Sequence, residues 1–107
     1  MTTFDEREDA FEKKFAHDEE LKFKAETRRN RLLGLWAAER LGMSGDAAEG
    51  YARAVVAANF EAPGGRGVIN KIEADLDAAG TRVTEAVIRA KMDELLAAAV
   101  AQIRSGQ

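Results

Sequence analysis

Few side chains in this sequence could take part in catalysis or metal binding, and their spacing does not bring them together in one site. Catalysis needs a nucleophile beside a base, a set of metal ligands, or carboxylates held in a desolvated cleft. The only histidine, His17, has no second histidine with which to share a metal ion, so we expect a solvated residue, with pH sensing as the alternative. The acid pairs Glu19 with Glu20 and Asp93 with Glu94 are adjacent, so their side chains diverge on a helix. We therefore predict no catalytic residue, no metal site and no cofactor.

A glycine-rich run at residues 63–67, Pro-Gly-Gly-Arg-Gly, precedes a predicted helix. The free N–H groups of a helix N-terminus attract anions, and Arg66 and Lys71 add positive charge. These two residues are the candidate anion-binding site, which would allow weak nucleotide binding. The run lacks the spacing of a Walker loop or a dinucleotide fingerprint, and no strand is predicted before it. A plain interhelical loop is therefore the favoured interpretation.

A second basic cluster, Arg28-Arg29-Asn30-Arg31, raises the question of nucleic-acid binding. Domains that bind nucleic acid are usually basic, because they contact the negatively charged phosphates. This chain has 19 acidic and 16 basic residues and a net charge of −3. We therefore predict no nucleic-acid partner. The arginines are expected to pair with acids on neighbouring helices or to help hold a protein partner.

Composition indicates one small helical domain. The chain has 107 residues, of which 46% are hydrophobic and 33% charged, with no cysteine and one proline. Disulfides and cysteine zinc sites are thereby excluded. The acidic N-terminus does not resemble a signal peptide, and no run of apolar residues could span a bilayer. We expect a cytoplasmic protein with no direct membrane insertion.

Four helical stretches follow from the helix start and stop signals. The first covers residues 4–41, opening with the capping-box spacing Thr3-x-x-Glu6 and closing at Gly42. Ser44 is expected to cap the second, over residues 45–60. Its apolar stripe consists of Ala48, Tyr51, Ala52, Val55 and Val56.

The third stretch begins near Val68 and closes at Gly80, and the fourth begins after Thr84, a good N-cap. The fourth carries a continuous apolar face of Ile88, Met92, Leu95, Leu96, Ala99 and Ile103. The predicted fold class is therefore all-α, a small four-helix bundle with an N-terminal extension that is helical or disordered. Trp36 and Tyr51 are expected to pack in the core.

The first stretch has an apolar stripe that changes direction. At about 100° per residue, Phe4, Phe11 and Phe15 share one narrow face, which we call the phenylalanine ridge. A second face, rotated by tens of degrees, is formed by Leu21, Ala25, Leu32 and Trp36. We assign the second face to the bundle and the ridge to a partner. The predicted division is an N-terminal segment at residues 1–19 and a body at residues 20–107.

The N-terminal segment is strongly acidic, and such a short helix is marginal in water. Through residue 12 it carries one base, Arg7, and five acids: Asp5, Glu6, Glu8, Asp9 and Glu12. We expect it to fold upon binding a protein.

Three motifs resemble the zeta subunit family, the alphaproteobacterial inhibitor of the F-type ATP synthase. They are Phe4-Asp5-Glu6-Arg7-Glu8, Glu12-x-Lys14-Phe15-Ala16-His17-Asp18-Glu19-Glu20 and Arg28-Arg29-Asn30-Arg31-Leu32-Leu33-Gly34-Leu35-Trp36-Ala37-Ala38-Glu39. The similarity continues through Tyr51-Ala52-x-x-Val55-Val56, Phe60-Glu61-x-Pro63-Gly64 and the last helix. One region departs from the family pattern, because Gly65-Arg66-Gly67 stands where acidic residues are usual. The third helix is accordingly expected to begin without a side-chain cap.

The resemblance implies an inhibitory N-terminal segment that inserts between an alpha and a beta subunit of the catalytic head, near the central stalk of the gamma subunit. It would block ATP hydrolysis without making or breaking a bond, at the cytoplasmic side of the inner membrane. The implied partner-binding residues are Phe4, Asp5, Glu6, Arg7, Glu8, Phe11, Glu12, Lys14, Phe15 and His17.

Two other hypotheses are kept. In one, the helical body is a module that senses a nucleotide through its basic residues, with the glycine-rich loop as its only local support. In the other, the chain is a generic helical adaptor for a different protein.

Overall fold

The computed structural model describes residues 18–106, and throughout this range the regular structure is helical. The helices are α1 (Glu19–Arg40), α2 (Gly45–Ala58), α3 (Arg66–Ala78) and α4 (Glu85–Arg104). The prediction of a small all-α bundle is confirmed. Residues 1–17 of the predicted N-terminal extension lie outside the described residues, while its last two residues, Asp18 and Glu19, begin α1.

Helix α1 lies at the centre of the bundle and packs against each of the other three helices. Its fully buried residues, which include Leu33, Ala37 and Ala38, therefore point in several directions around the helix. The inward face predicted from the sequence is wrong in part. Ala25 is buried, and the half-buried Trp36 packs against the core, whereas the half-buried Leu21 and Leu32 are not among the described side chains that do so.

The core is formed by aliphatic side chains from all four helices. Its buried members are Leu33, Ala37, Val55, Val68, Ile69, Ile72, Leu76, Ile88 and Met92. Trp36 and Tyr51 pack against this cluster, as predicted. The guanidinium of Arg40 lies 4.6 Å from the ring centroid of Trp36, so this indole is covered by a cation on its solvent side.

Two of the predicted stop and start signals act through hydrogen bonds that the structure shows. Gly42 adopts φ +78°, and the N–H of Met43 donates to the Ala38 carbonyl oxygen at 2.9 Å, closing α1 with a Schellman motif. Thr84 caps α4, its hydroxyl accepting from the N–H of Val87 at 3.3 Å. Ser44 occupies the N-cap of α2, but its side chain makes no capping bond, contrary to prediction.

The boundaries of α2 and α3 differ from those predicted because the connection between them is compact. Helix α2 ends at Ala58, two residues early, and α3 begins at Arg66, two residues before Val68. Gly65 starts α3 with φ +77° and without a side-chain cap, as expected. A Cβ on Gly67 would overlap the carbonyl oxygen of Ala58, so glycine allows α3 to begin directly against the end of α2.

Helices α1 and α2 approach most closely at Gly34. A Cβ built on Gly34 would lie 2.7 Å from the Cα of Ala52 and 3.2 Å from the Cβ of Val55. The first distance involves backbone, which cannot move aside without shifting a whole helix. Gly34 thus sets the separation of α1 and α2.

We predict that Gly34→Ala lowers the free energy of unfolding by about 1–3 kcal/mol, because the overlap with Ala52 outweighs the gain in helix propensity. Gly50→Ala is the matched control. Gly50 also lies within a helix, but the nearest atom to its Cβ position is the end of the Arg53 side chain at 3.8 Å. This variant is expected to be more stable by about 0.5–1 kcal/mol. Equal stability of the two variants in denaturant titrations would contradict the argument.

Candidate functional site

The predicted partner-binding residues all precede the part of the chain that the structure describes. They are Phe4, Asp5, Glu6, Arg7, Glu8, Phe11, Glu12, Lys14, Phe15 and His17. Their role, and the division of the chain near residue 19, stay predictions.

The first described residue, Asp18, begins the bundle. It has extended backbone angles (φ −99°, ψ 105°), and its carboxylate accepts hydrogen bonds from the N–H groups of Glu20 and Leu21 at 3.0 and 3.1 Å. The first helical stretch was predicted over residues 4–41, with a change in the direction of its apolar stripe, and in the described residues its helix starts after Asp18. An N-cap residue followed by two acids in the first turn is a recognised helix start, although a cap at Asp18 was not predicted.

A groove lies beside the first half of α1. It has a volume of about 760 Å³, and its lining residues are Glu20, Phe23, Lys24, Thr27, Arg28, Arg31, Leu32, Val56 and Gln102. The groove exists because α1 is longer than its neighbour. The two helices meet where Gly34 contacts Ala52. From this point α1 extends for 15 residues toward its N-terminus, about 22 Å. Helix α2 extends for only six residues toward its C-terminus, about 9 Å.

Phe23 of the groove lining forms an exposed aromatic pair with Phe60, which is not part of the lining. Phe23 is 54% exposed and Phe60 is 72% exposed, and their ring centroids are 6.5 Å apart with the planes tilted by 40°. An exposed aromatic pair is typical of a binding surface. No role was predicted for Phe23, because its direction on α1 could not be interpreted before the position of α2 was known.

The basic cluster on α1 divides between structure and surface. The guanidinium of Arg31 donates to both carboxylate oxygens of Glu49 on α2 at 2.9 Å, which confirms the expected pairing with a neighbouring helix. Arg28 lines the groove. Arg29 is partly buried, and this burial lowers its pKa, while the charges of Glu26 and Asp93 oppose the shift.

Asn30 is the one buried polar side chain among the described residues, at 1% exposure. Its Oδ1 accepts from the Nε of Arg29 at 3.0 Å, while Nδ2 has no hydrogen-bond partner in the described structure. The amide oxygen therefore fixes the Arg29 side chain, while the two N–H donors of Nδ2 are left unmatched in the described structure.

Arg66 of the candidate anion site is engaged by a carboxylate of α4. It donates to the two oxygens of Glu85 at 2.7 and 3.1 Å, and Arg89 donates to the same carboxylate at 2.7 Å. These hydrogen bonds, that of Arg66 first, lower the pKa of Glu85 from its ordinary value of 4.5 to about 2. An incoming anion would compete with Glu85 for Arg66.

Lys71 is also paired. Its ammonium lies 3.0 Å from the carboxylate of Asp75 and 5.1 Å from the ring centroid of Tyr51 on α2. The Tyr51 hydroxyl donates to Asp75 at 2.8 Å. Burial and this hydrogen bond raise the pKa of Tyr51 above its usual value. The three side chains fasten α2 to α3, and the predicted anion-binding role of Lys71 is left untested.

Over residues 18–106, no three side chains of the histidine, cysteine or acidic types come together in a way that could hold a metal ion. Among the helices of the same range, none is long and apolar enough to cross a membrane.

Comparison with known proteins identifies the family. The family model for ATPase inhibitor subunit zeta matches residues 1–102. The chain therefore belongs to the ATPase inhibitor subunit zeta family. A protein structure determined by solution NMR is similar to this chain, with a TM-score of 0.71 and 48% sequence identity, over 81% of this chain and 99% of the other. Comparison with curated protein sequences gives no match.

The lowered pKa of Glu85 predicts an acid-sensitive contribution to stability. Ionised Glu85 stabilises the fold above the ordinary carboxyl pKa of 4.5, and this contribution is lost as pH falls toward about 2. The stability advantage of the parent protein over Glu85→Gln should therefore be constant above about pH 5 and shrink between pH 5 and 2. Denaturant titrations across this range measure it.

Glu94→Gln is the control, because the Glu94 side chain is 67% exposed and, within residues 18–106, pairs with Lys91 alone, at 3.2 Å. Such a surface pair contributes little, so this substitution should change stability only slightly at every pH. A pH-independent difference between the parent and Glu85→Gln would contradict the assigned role of Glu85.

Proposed function

We propose that this protein inhibits ATP hydrolysis by the F-type ATP synthase through its N-terminal segment. The segment inserts between an alpha and a beta subunit of the catalytic head, next to gamma, and the helical body remains outside. The protein acts as a binding inhibitor and catalyses no reaction. The observation that carries the proposal is the family match, which begins at residue 1 and so includes the phenylalanine ridge.

The body supports this division of labour by having a core of its own. Among the described residues, the buried cluster is supplied by residues 33–92. The carboxylate of Asp18 accepts hydrogen bonds from two free N–H groups at the start of α1, so these two groups have partners within the body. We therefore assign the N-terminal segment to a partner.

The energetics favour a contribution from the body as well. Burying each ridge phenylalanine would contribute about 1.5–3 kcal/mol to the binding free energy. Ordering the segment and losing free translation and rotation on association oppose this contribution. Additional contacts from exposed groups such as Phe23 and Phe60 would help offset these costs.

The location follows from the partner. A protein bound to the catalytic head would act in the cytoplasm, peripheral to the inner membrane through the enzyme. The direct experiment adds the purified protein to the ATP synthase head from the same organism and follows ATP hydrolysis. We expect saturable inhibition, and full hydrolysis at saturating protein would refute the proposal.

We predict that deletion of residues 1–17 abolishes inhibition and leaves the body folded. The deletion retains Asp18 and all the buried core residues that the structure describes, so the melting temperature should barely change. Circular dichroism melts and hydrolysis assays on the same preparations measure the two quantities. Cooperative loss of folding on truncation would contradict the division.

We predict that Phe11→Ala and Phe15→Ala each raise the inhibitory concentration about thirtyfold, because loss of a buried aromatic contact at a binding centre commonly costs about 2 kcal/mol. Asp5→Asn is the control, since a charge at the rim should affect mainly the association rate and its salt dependence. If both alanine variants inhibit like the parent and melt at the same temperature, the ridge is not the contact surface.

A further inference from the structure

The large apolar side chains that are exposed in the described part of the chain lie toward the two ends of α1. Phe23 and Phe60 are 54% and 72% exposed, and their rings lie 6.5 Å apart beside the first half of α1. Met43 follows the end of α1, and Val87 lines a pocket with Trp36 in the second half of this helix. The first pair is aromatic and contiguous, which makes it the stronger candidate for a protein contact.

The aromatic pair lies at the end of the body to which the N-terminal segment is joined. Helix α1 starts directly after Asp18, and Phe23 is five residues further on, about 7.5 Å along the helix axis. Trp36, beside Val87, is 18 residues from Asp18, about 27 Å. In the proposed function the residues before Asp18 enter the catalytic head. The body surface nearest to the head is then the surface around Phe23.

The charges that line the groove do not favour a partner of one sign. Glu20 and Lys24 lie one helical turn apart and carry opposite charges. Arg31 is paired with Glu49, and Arg28 also has an interaction partner. Recognition therefore rests mainly on apolar contact. A matching surface is apolar with charges of both signs at its edge, as protein–protein interfaces are, whereas an anionic polymer or lipid surface would require excess positive charge.

We propose that the body docks on the outer surface of the catalytic head through Phe23 and Phe60, beside the point where the N-terminal segment enters. The inference rests on the proposed function and adds the orientation of the body, in which the first half of α1 faces the head and the end near Trp36 faces away. The inserted segment holds the aromatic pair near the head at an effective concentration on the order of 1 mM, so a contact that would be too weak alone is populated. This contact in turn slows release of the segment.

Phe60→Ala tests the contact in the full-length protein. Phe60 follows α2 and is 72% exposed, so the truncation should barely change the melting temperature. We expect the inhibitory concentration to rise about tenfold, chiefly through faster dissociation. Val87→Ala is the control, because Val87 is 46% exposed near the other end of α1, and it should inhibit like the parent. Equal potency of the parent and Phe60→Ala, or an equal loss in both variants, would overturn the proposal.

A photo-reactive phenylalanine analogue at position 60 identifies the partner directly. We expect it to form adducts with the alpha or beta subunit of the purified head, whereas the same analogue at position 87 should form few. Adducts that come mainly from position 87 would reverse the orientation of the body and overturn the proposal. Adducts from position 60 with a second copy of this protein alone would assign the aromatic pair to self-association, which also overturns it.

The two measurements separate the docking surface from the proposed function. Adduct formation is detected without following ATP hydrolysis. Adducts between position 60 and the head in the absence of inhibition would support the docking surface and refute the proposed function alone. Saturable inhibition that Phe60→Ala does not weaken, with no adducts from position 60, would refute only the docking surface.

Discussion

Where Gly34 of α1 meets Ala52 of α2, the two helices touch through backbone atoms, and a single Cβ would separate them. This contact determines the positions of the other elements, because α1 is also the helix against which α3 and α4 pack. A helix covered on several sides cannot follow one apolar stripe, and small residues such as Ala37 and Ala38 make up much of its buried surface. A core made in this way is thin and depends on close approach instead of large side chains.

The surface features follow from the same contact. Helix α1 has 22 residues and α2 has 14, so fixing them at Gly34 leaves the first half of α1 beyond the end of α2. That difference in length opens the groove and exposes the aromatic pair of Phe23 and Phe60. The ion pair of Arg66 with Glu85 and the hydrogen bond from Tyr51 to Asp75 lie elsewhere, where they connect α3 to α4 and to α2.

Local signals were sufficient to predict the number and type of the helices, because Gly42, Gly80 and Thr84 act through bonds within a few residues. The inward face of α1 was predicted poorly, since its direction depends on three other helices. The groove depends on the relative lengths and contact point of two helices, which no local pattern encodes. The residues assigned to the partner came from the family resemblance and the phenylalanine ridge, and the described structure does not reach them.

In the proposed function, the N-terminal segment, and the phenylalanine ridge in particular, makes the contact with the ATP synthase head. A photo-reactive phenylalanine analogue at position 11 of the full-length protein is the sharpest test of this contact, with the same analogue at exposed position 87 as the comparison. We predict that position 11 forms covalent adducts with alpha or beta subunits in proportion to the inhibition, and that position 87 forms few. Adducts formed mainly from position 87, with none from position 11 in a fully inhibited sample, would contradict the proposed contact.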